Sequence, residues 1–473
     1  MGIQIASKAP RVSHLLYADD ILIFSEANLK KIKKIKKTLN NYCKWTGQRV
    51  NFKKSMMVFG KTVNQRRKKE IENALKFSSA IEMNYLAIKL TLRRMVSSDY
   101  NKLMEVALNK LNIRGKNFIS LEGKMVLLKS AFLSLPIFLS TLSLVPLGIL
   151  KEFDKMCRDF LWNKKNGNLG LHSASWKELC KPKQKGGRGL FSAVEKVGHL
   201  RAKFAWKFYM KPESLLICIL KAKYGDDLWK NMETKGSSST WRIICNGAKF
   251  FINIVRWKIC NGISINWLKD AWILDRNISK CPTFVSNMEI NNYKLEFFLK
   301  DGEWNLEHLQ MFFGKELIDL ILKIPIFINQ GADQIDLKKK ASGCSVAAIS
   351  QAYFYKEDAN CELWKRLKNV KLRPNVVLFW WRMYKNAIPS FTFLFYRKIT
   401  SFTGCPRGCK KDEDNNHIAG ECDKLKKVIF WLNKWGIKVP QFVCFHDCLK
   451  ELERMSYKNP LVVNIYCNEV FLV

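Results

Sequence analysis

The strongest constraint in this sequence is the stretch His14-Leu15-Leu16-Tyr17-Ala18-Asp19-Asp20-Ile21-Leu22-Ile23-Phe24. Two short apolar runs flank a tight polar break, which predicts a β-hairpin with Asp19 and Asp20 at its turn. Two unneutralised carboxylates at one tip repel each other, and a divalent cation relieves that repulsion. Hard oxygen ligands suit Mg²⁺. A metal held there can activate a hydroxyl and carry charge on a phosphate.

The residues that follow predict a helix over 28–45. Leu29, Ile32, Ile35, Leu39 and Tyr42 recur at helical spacing, and Lys30, Lys31, Lys33, Lys34, Lys36 and Lys37 fill the opposite face. That lysine face reads either as a solvated surface or as a phosphate-contacting or nuclear-import cluster. Gly47 ends the element as a C-terminal glycine does, and Val50–Phe59 is expected to return as a short strand.

The order of these features resembles the palm of LINE-type (non-LTR) reverse transcriptases from plants. The resemblance rests on the Tyr17-x-Asp19-Asp20 hairpin, the amphipathic helix, Thr46-Gly47-Gln48, and Asn51-x-x-Lys54-Ser55. It implies that Asp19 and Asp20 are catalytic Mg²⁺ ligands and that Lys54 lies near the leaving pyrophosphate, although a plain surface lysine fits the sequence as well. Tyr85-Leu86-Ala87 resembles the family's Tyr-Leu-Gly primer grip, with Ala87 replacing a glycine and so restricting the backbone. Residues 90–162 resemble a helical thumb, with Arg93, Arg94, Lys110, Arg114, Lys116, Lys124 and Lys129 available for phosphates. In the family a further Asp stands on an earlier strand. Residues 1–10 hold no carboxylate, so the expectation is a 5′-truncated polymerase, inactive as an isolated chain.

Lys181-Pro182-Lys183-Gln184-Lys185-Gly186-Gly187-Arg188-Gly189-Leu190 predicts a basic linker without regular structure. It lacks the Gly-Lys-Ser/Thr ending of a nucleotide-binding loop. Residues 195–228 are expected to be helical. Asn261-Gly262 predicts a hairpin, and Trp241, Trp257, Trp267 and Trp272 serve either as core or as a stacking surface for bases. No motif is legible over 281–351.

A second constellation is Cys405-x3-Cys409-x7-His417-x4-Cys422. Three thiolates and an imidazole match tetrahedral Zn²⁺, and four protein ligands make such a site structural. Metal binding there supplies folding free energy. Cys444, His446 and Cys448 are weaker alternatives. Trp364, Leu372-x-Pro374, Phe379-Trp380-Trp381-Arg382, Leu394, Arg397 and Trp431 resemble the zinc-binding domain that follows plant LINE-type polymerases.

Composition narrows the partners. The formal net charge is +40, from 81 Lys and Arg against 41 Asp and Glu, which favours RNA or DNA; drift in an A-rich gene also enriches lysine. Fifteen scattered cysteines and no recognisable signal segment predict an intracellular, nuclear protein with reduced thiols. Ser130–Leu150 carries no charge and is long enough to span a bilayer. Pro136, Pro146 and its hydroxyl residues favour a buried helix ending in a proline turn, so no membrane is expected.

The expected fold class is therefore α+β. It comprises a palm remnant over 1–89, a helical thumb over 90–180, a linker and Trp-rich mixed region over 181–350, a small zinc-binding domain over 351–440 and a tail over 441–473. No hydrolase activity is expected, because about fifty residues follow Cys422 and a further nuclease domain needs about 100. Beyond dNTP for a complete polymerase, no small-molecule substrate is implied. The alternatives are a non-enzymatic, zinc-stabilised nucleic-acid-binding protein and a decayed gene product without selected function.

Overall fold

The computed structural model describes residues 2–473 except 87, 112–118, 163–169, 227, 229–235, 274–277, 279–292, 329–330, 339–342, 364–366 and 368–369. Ala87, Arg114, Lys116 and Trp364 therefore lie outside the described residues. The fold is α+β, as expected: helices dominate, and every sheet among the described residues has two strands. The chain forms two compact units, one of 1–99, 139–144 and 198–353, the other of 100–138, 145–197 and 354–473.

In the first unit His14–Tyr17 pairs antiparallel with Asp20–Ile23, with Tyr17 opposite Asp20. The two-residue link places Ala18 at φ 51°, the left-handed geometry a tight hairpin demands. Both strands are largely exposed; Leu16 and Tyr17 are each 62% accessible. The helix Leu29–Thr46 follows. Asn28 Oδ1 accepts from Lys30 N at 2.9 Å and Gly47 closes it at φ 71°, so both ends are capped as their residue types require. Its Ile32 and Ile35 pack with Ile71 and Leu75 of the helix Gln65–Leu75 in one small core.

The expected strand over 50–59 shrinks to Met56–Met57, paired in parallel with Ser78–Ser79. Asn51 is the reason. Its Oδ1 accepts from Lys53 N and Lys54 N, and its carbonyl accepts from Lys54 N and Ser55 N. A turn that consumes those N–H groups locally cannot join a ladder. A second hairpin, Glu82–Tyr85 with Ile88–Thr91, leads to Asp99, whose carboxylate takes Arg93 at 2.6 Å and Lys89 at 2.8 Å.

Helices Leu215–Tyr224 and Ser239–Phe251 build a larger core around fully buried Trp241, which stacks on Tyr224 at 4.6 Å. Trp267 and Trp272 sit in a third core with Phe298, Phe312 and Phe313. These tryptophans are core residues, the commoner of the two uses the sequence allows.

The hairpin expected at Asn261-Gly262 does not form. Val255–Lys258 instead pairs antiparallel with the distant Gln334–Leu337. The Asp333 carboxylate accepts the N–H groups of Cys260, Asn261, Gly262 and Ser264 at 2.8–3.1 Å, so the local donors are already taken. Gly262 holds φ 73° with the Glu296 backbone where a Cβ would stand. Within 281–351, where the sequence offers no motif, the described residues form Leu306–Phe312, Lys315–Ile321 and a Leu299–Lys300/Glu303–Trp304 ribbon.

The second unit is mainly helical. Asn101–Leu111 packs on Leu147–Trp162, and Met104, Ala107, Phe153 and Leu161 of these helices are buried. Among the described residues one helical stretch, Leu121–Leu142, is long and apolar enough by length and composition to cross a membrane; 39% of its most apolar window is buried. The uncharged run breaks at Ser143–Pro146 before the helix restarts at Leu147, as the proline predicts.

The Gly-rich stretch is tied down rather than loose. Gly186 adopts φ 82° and its carbonyl accepts from Trp381 Nε1 at 2.8 Å. A Cβ on Gly187 would stand 1.9 Å from Lys181 O. Arg188 is buried, and its Nη2 reaches both Glu122 oxygens at 2.6 Å. The C-terminal helices Phe445–Lys458 and Pro460–Leu472 pack on each other, and Pro460–Leu472 also packs on Pro374–Tyr384. Trp380 Nε1 donates to Cys467 O.

Candidate metal centre and acidic hairpin

The chain from Gly404 to Cys422 bends into a compact knuckle. Gly404 bridges Asp412, Cys405 N donates to Lys411 O, and Gly408 turns at φ 88° with its N–H on Cys405 O. Asp414 Oδ1 then accepts from His417 N at 2.7 Å, starting the single wide turn His417–Glu421. Cys422 stands at the N-terminus of the helix Asp423–Lys434.

These turns bring one donor atom from each of Cys405, Cys409, His417 and Cys422 within 4.8 Å of one another. Cys409 Sγ and Cys422 Sγ are 3.8 Å apart. Two zinc–sulfur bonds of about 2.3 Å at a tetrahedral angle span about 3.8 Å, so this edge fits zinc, whereas a disulfide needs about 2.05 Å. His417 is 1% exposed, and neither ring nitrogen has a hydrogen-bonding partner. A buried imidazole without a partner is costly unless a ligand takes one nitrogen. The donor set therefore fits Zn²⁺, with no open position for substrate.

The electrostatics favour one thiolate of the cluster, Cys405, over its neighbour Cys409. Burial pushes the Cys405 thiol up, but the Arg407 side chain, 3.4 Å from Sγ, and its backbone N–H bring it down to about 6. Burial raises the Cys409 thiol. Arg407 is itself held by Glu413 at 2.5 Å. Sequence reasoning missed Arg407, Glu413 and Asp414; Pro406, Gly408 and the polar 410–416 run signalled only a short loop able to bend around a metal. Tyr466, in the C-terminal helix, donates its hydroxyl to Ala419 O and so fastens the knuckle from outside. Cys444 and Cys448 do not join the cluster: Cys444 caps a helix through Asp447 N, and Cys448 is buried beside Tyr466.

Asp19 and Asp20 both lie exposed at the tip of the first hairpin. Among the described residues no third His, Cys, Asp or Glu groups with them. Lys54 is exposed on the separate Asn51 turn. The structure thus gathers Cys405, Cys409, His417 and Cys422 into one cluster, and leaves Asp19 in the hairpin link, Asp20 at the start of the second strand and Lys54 on a separate exposed turn.

No family model matches this sequence. It is 28% identical over 190 residues to an Arabidopsis thaliana protein named "Putative ribonuclease H protein". That alignment covers 38% of this chain and 30% of the plant protein, so the chain spans less than a third of the relative it matches.

Proposed function

We propose that this chain carries the acidic hairpin, thumb-like helices and zinc-binding module of a LINE-type retroelement reverse transcriptase, and that it binds RNA or DNA through its basic surfaces. The observation that carries this reading is the exposed Asp19-Asp20 tip of a two-residue hairpin, followed in order by the capped helix and the Asn51 turn. The partial likeness to a plant protein with a ribonuclease H name supports a retroelement relation, and the net charge of +40 supports a polyanionic partner.

In this reading Asp19 and Asp20 hold Mg²⁺, Lys54 faces the leaving pyrophosphate, and zinc on Cys405, Cys409, His417 and Cys422 is structural. Phosphoryl transfer needs more carboxylate than the pair supplies. The isolated chain therefore binds nucleic acid in the nucleus without extending a primer.

Three measurements test it. Mn²⁺ titration should detect a site lost in Asp19→Asn/Asp20→Asn; binding indifferent to that change refutes the metal role. Primer extension on an RNA template should give no product; template-dependent product that disappears in Asp19→Ala refutes the inactivity. Affinity for oligonucleotides should fall steeply with salt, and absence of binding at low salt refutes the nucleic-acid reading altogether.

A further inference from the structure

The helix Asp423–Lys434 leaves the zinc knuckle directly at Cys422. Its inner face buries Leu425, Ile429 and Leu432. The outer face is aromatic. Trp431 is 50% exposed, Trp435 72% and Phe430 60%. Other aromatics in this chain are as open, but here three lie side by side at one helix end, and a contiguous patch is the informative case. At about 100° per residue, Lys424, Lys427, Trp431, Lys434 and Trp435 fall on one stripe about 100° wide. Lys424, Lys427 and Lys434 are exposed. Lys434 Nζ stands 4.9 Å from the Trp431 ring centroid. Between 423 and 438 there are five lysines and one acid, Asp423.

We propose that this stripe is a stacking platform for single-stranded nucleic acid, with bases laid on Trp431 and Trp435 and phosphates on Lys424, Lys427 and Lys434. The charge of the stripe selects a polyanion, and flat exposed rings between cations suit unpaired bases, whose faces a duplex hides. Insertion into a bilayer would need a continuous apolar face, and the one this helix has is spent on Leu425, Ile429 and Leu432. No group on the stripe reads a 2′-hydroxyl, so RNA and DNA bind alike. The inference rests on the nucleic-acid reading above and locates one of its surfaces.

The test uses the full zinc-loaded chain and fluorescein-labelled twelve-residue oligo(dT) and oligo(U), with a duplex of equal length. Trp431→Ala/Trp435→Ala should weaken binding to both single strands by about ten-fold or more while changing duplex binding little. Lys424→Gln/Lys427→Gln/Lys434→Gln should lower the slope of log affinity against log salt by about 2. Zinc content and melting temperature should match the parent. Should the double variant lose zinc, Trp435→Ala alone carries the test, and Trp435→Phe should restore binding. Unchanged single-strand affinity in the tryptophan variants, or equal loss for strand and duplex, overturns the platform while the nucleic-acid reading stands. Tryptophan-dependent binding to phosphatidylserine vesicles without oligonucleotide binding overturns both.

Discussion

Replacing His417 with alanine should unfold the knuckle. The side chain is 1% exposed, and both of its ring nitrogens are buried without partners. Metal-free, the native geometry leaves polar groups orphaned at about 1–3 kcal/mol each. Structural zinc in small modules contributes about 10–16 kcal/mol of apparent binding free energy. Whole domains are stable by only about 5–15 kcal/mol, so a segment that forfeits the metal has no reserve. The loss should spread to the helices that the knuckle touches, because Tyr466 donates to Ala419 O and Gly420 has no room for a Cβ beside Phe442 O. The assay is zinc stoichiometry by elemental mass spectrometry, with thermal melts in EDTA and hydrogen exchange over 405–422. The parent should carry one equivalent, and His417→Ala should carry none and exchange rapidly there. Cys444→Ala and His446→Ala should keep the metal, since neither residue belongs to the cluster. A parent without stoichiometric zinc, whose melting is indifferent to both EDTA and His417→Ala, would falsify the argument.

Other consequences follow from the packing. Arg93 and Lys89 hold the Asp99 carboxyl far below its usual 3.8. A depressed carboxylate stabilises the fold above its unfolded pKa, and that stability drains as pH falls below about 4. Asp99→Asn should therefore flatten the acid limb of stability measured between about pH 2 and 5, and an unchanged limb would refute the assignment. Asp333→Ala should cost about 3 kcal/mol and speed exchange at Cys260–Ser264, because one carboxylate satisfies four backbone donors there; protection equal to the parent would count against it. Arg188→Ala should cost about 3–5 kcal/mol by stranding Glu122. Restoring most of the loss with Glu122→Gln would place the cost in the unpaired charge, and no restoration would place it in lost packing against Trp381.

Features whose signal and whose satisfaction lie within a few residues were legible from the residues alone. The hairpin around Asp19 is one: two apolar runs and a two-residue break close on themselves. The Leu29–Thr46 helix is another, because Asn28 and Gly47 cap it locally and its stripe has helical period. Cys405, Cys409, His417 and Cys422 sit at spacings a short loop can fold around a single ion, so their grouping could be foreseen without the fold. Tertiary structure decided the cases where a distant partner outbid a local preference. Asn261-Gly262 favours a hairpin, but Asp333, far along the chain, claims its donors. Residues 181–190 look like linker because Pro and Gly resist regular elements; Glu122 and Trp381 turn that freedom into a fitted loop. Whether a tryptophan faces core or solvent was likewise settled by neighbours, which is why Trp241 is buried and Trp435 lies open. Local geometry costs little chain entropy and can be read in sequence; long-range hydrogen bonds and burial need the folded partner before they exist.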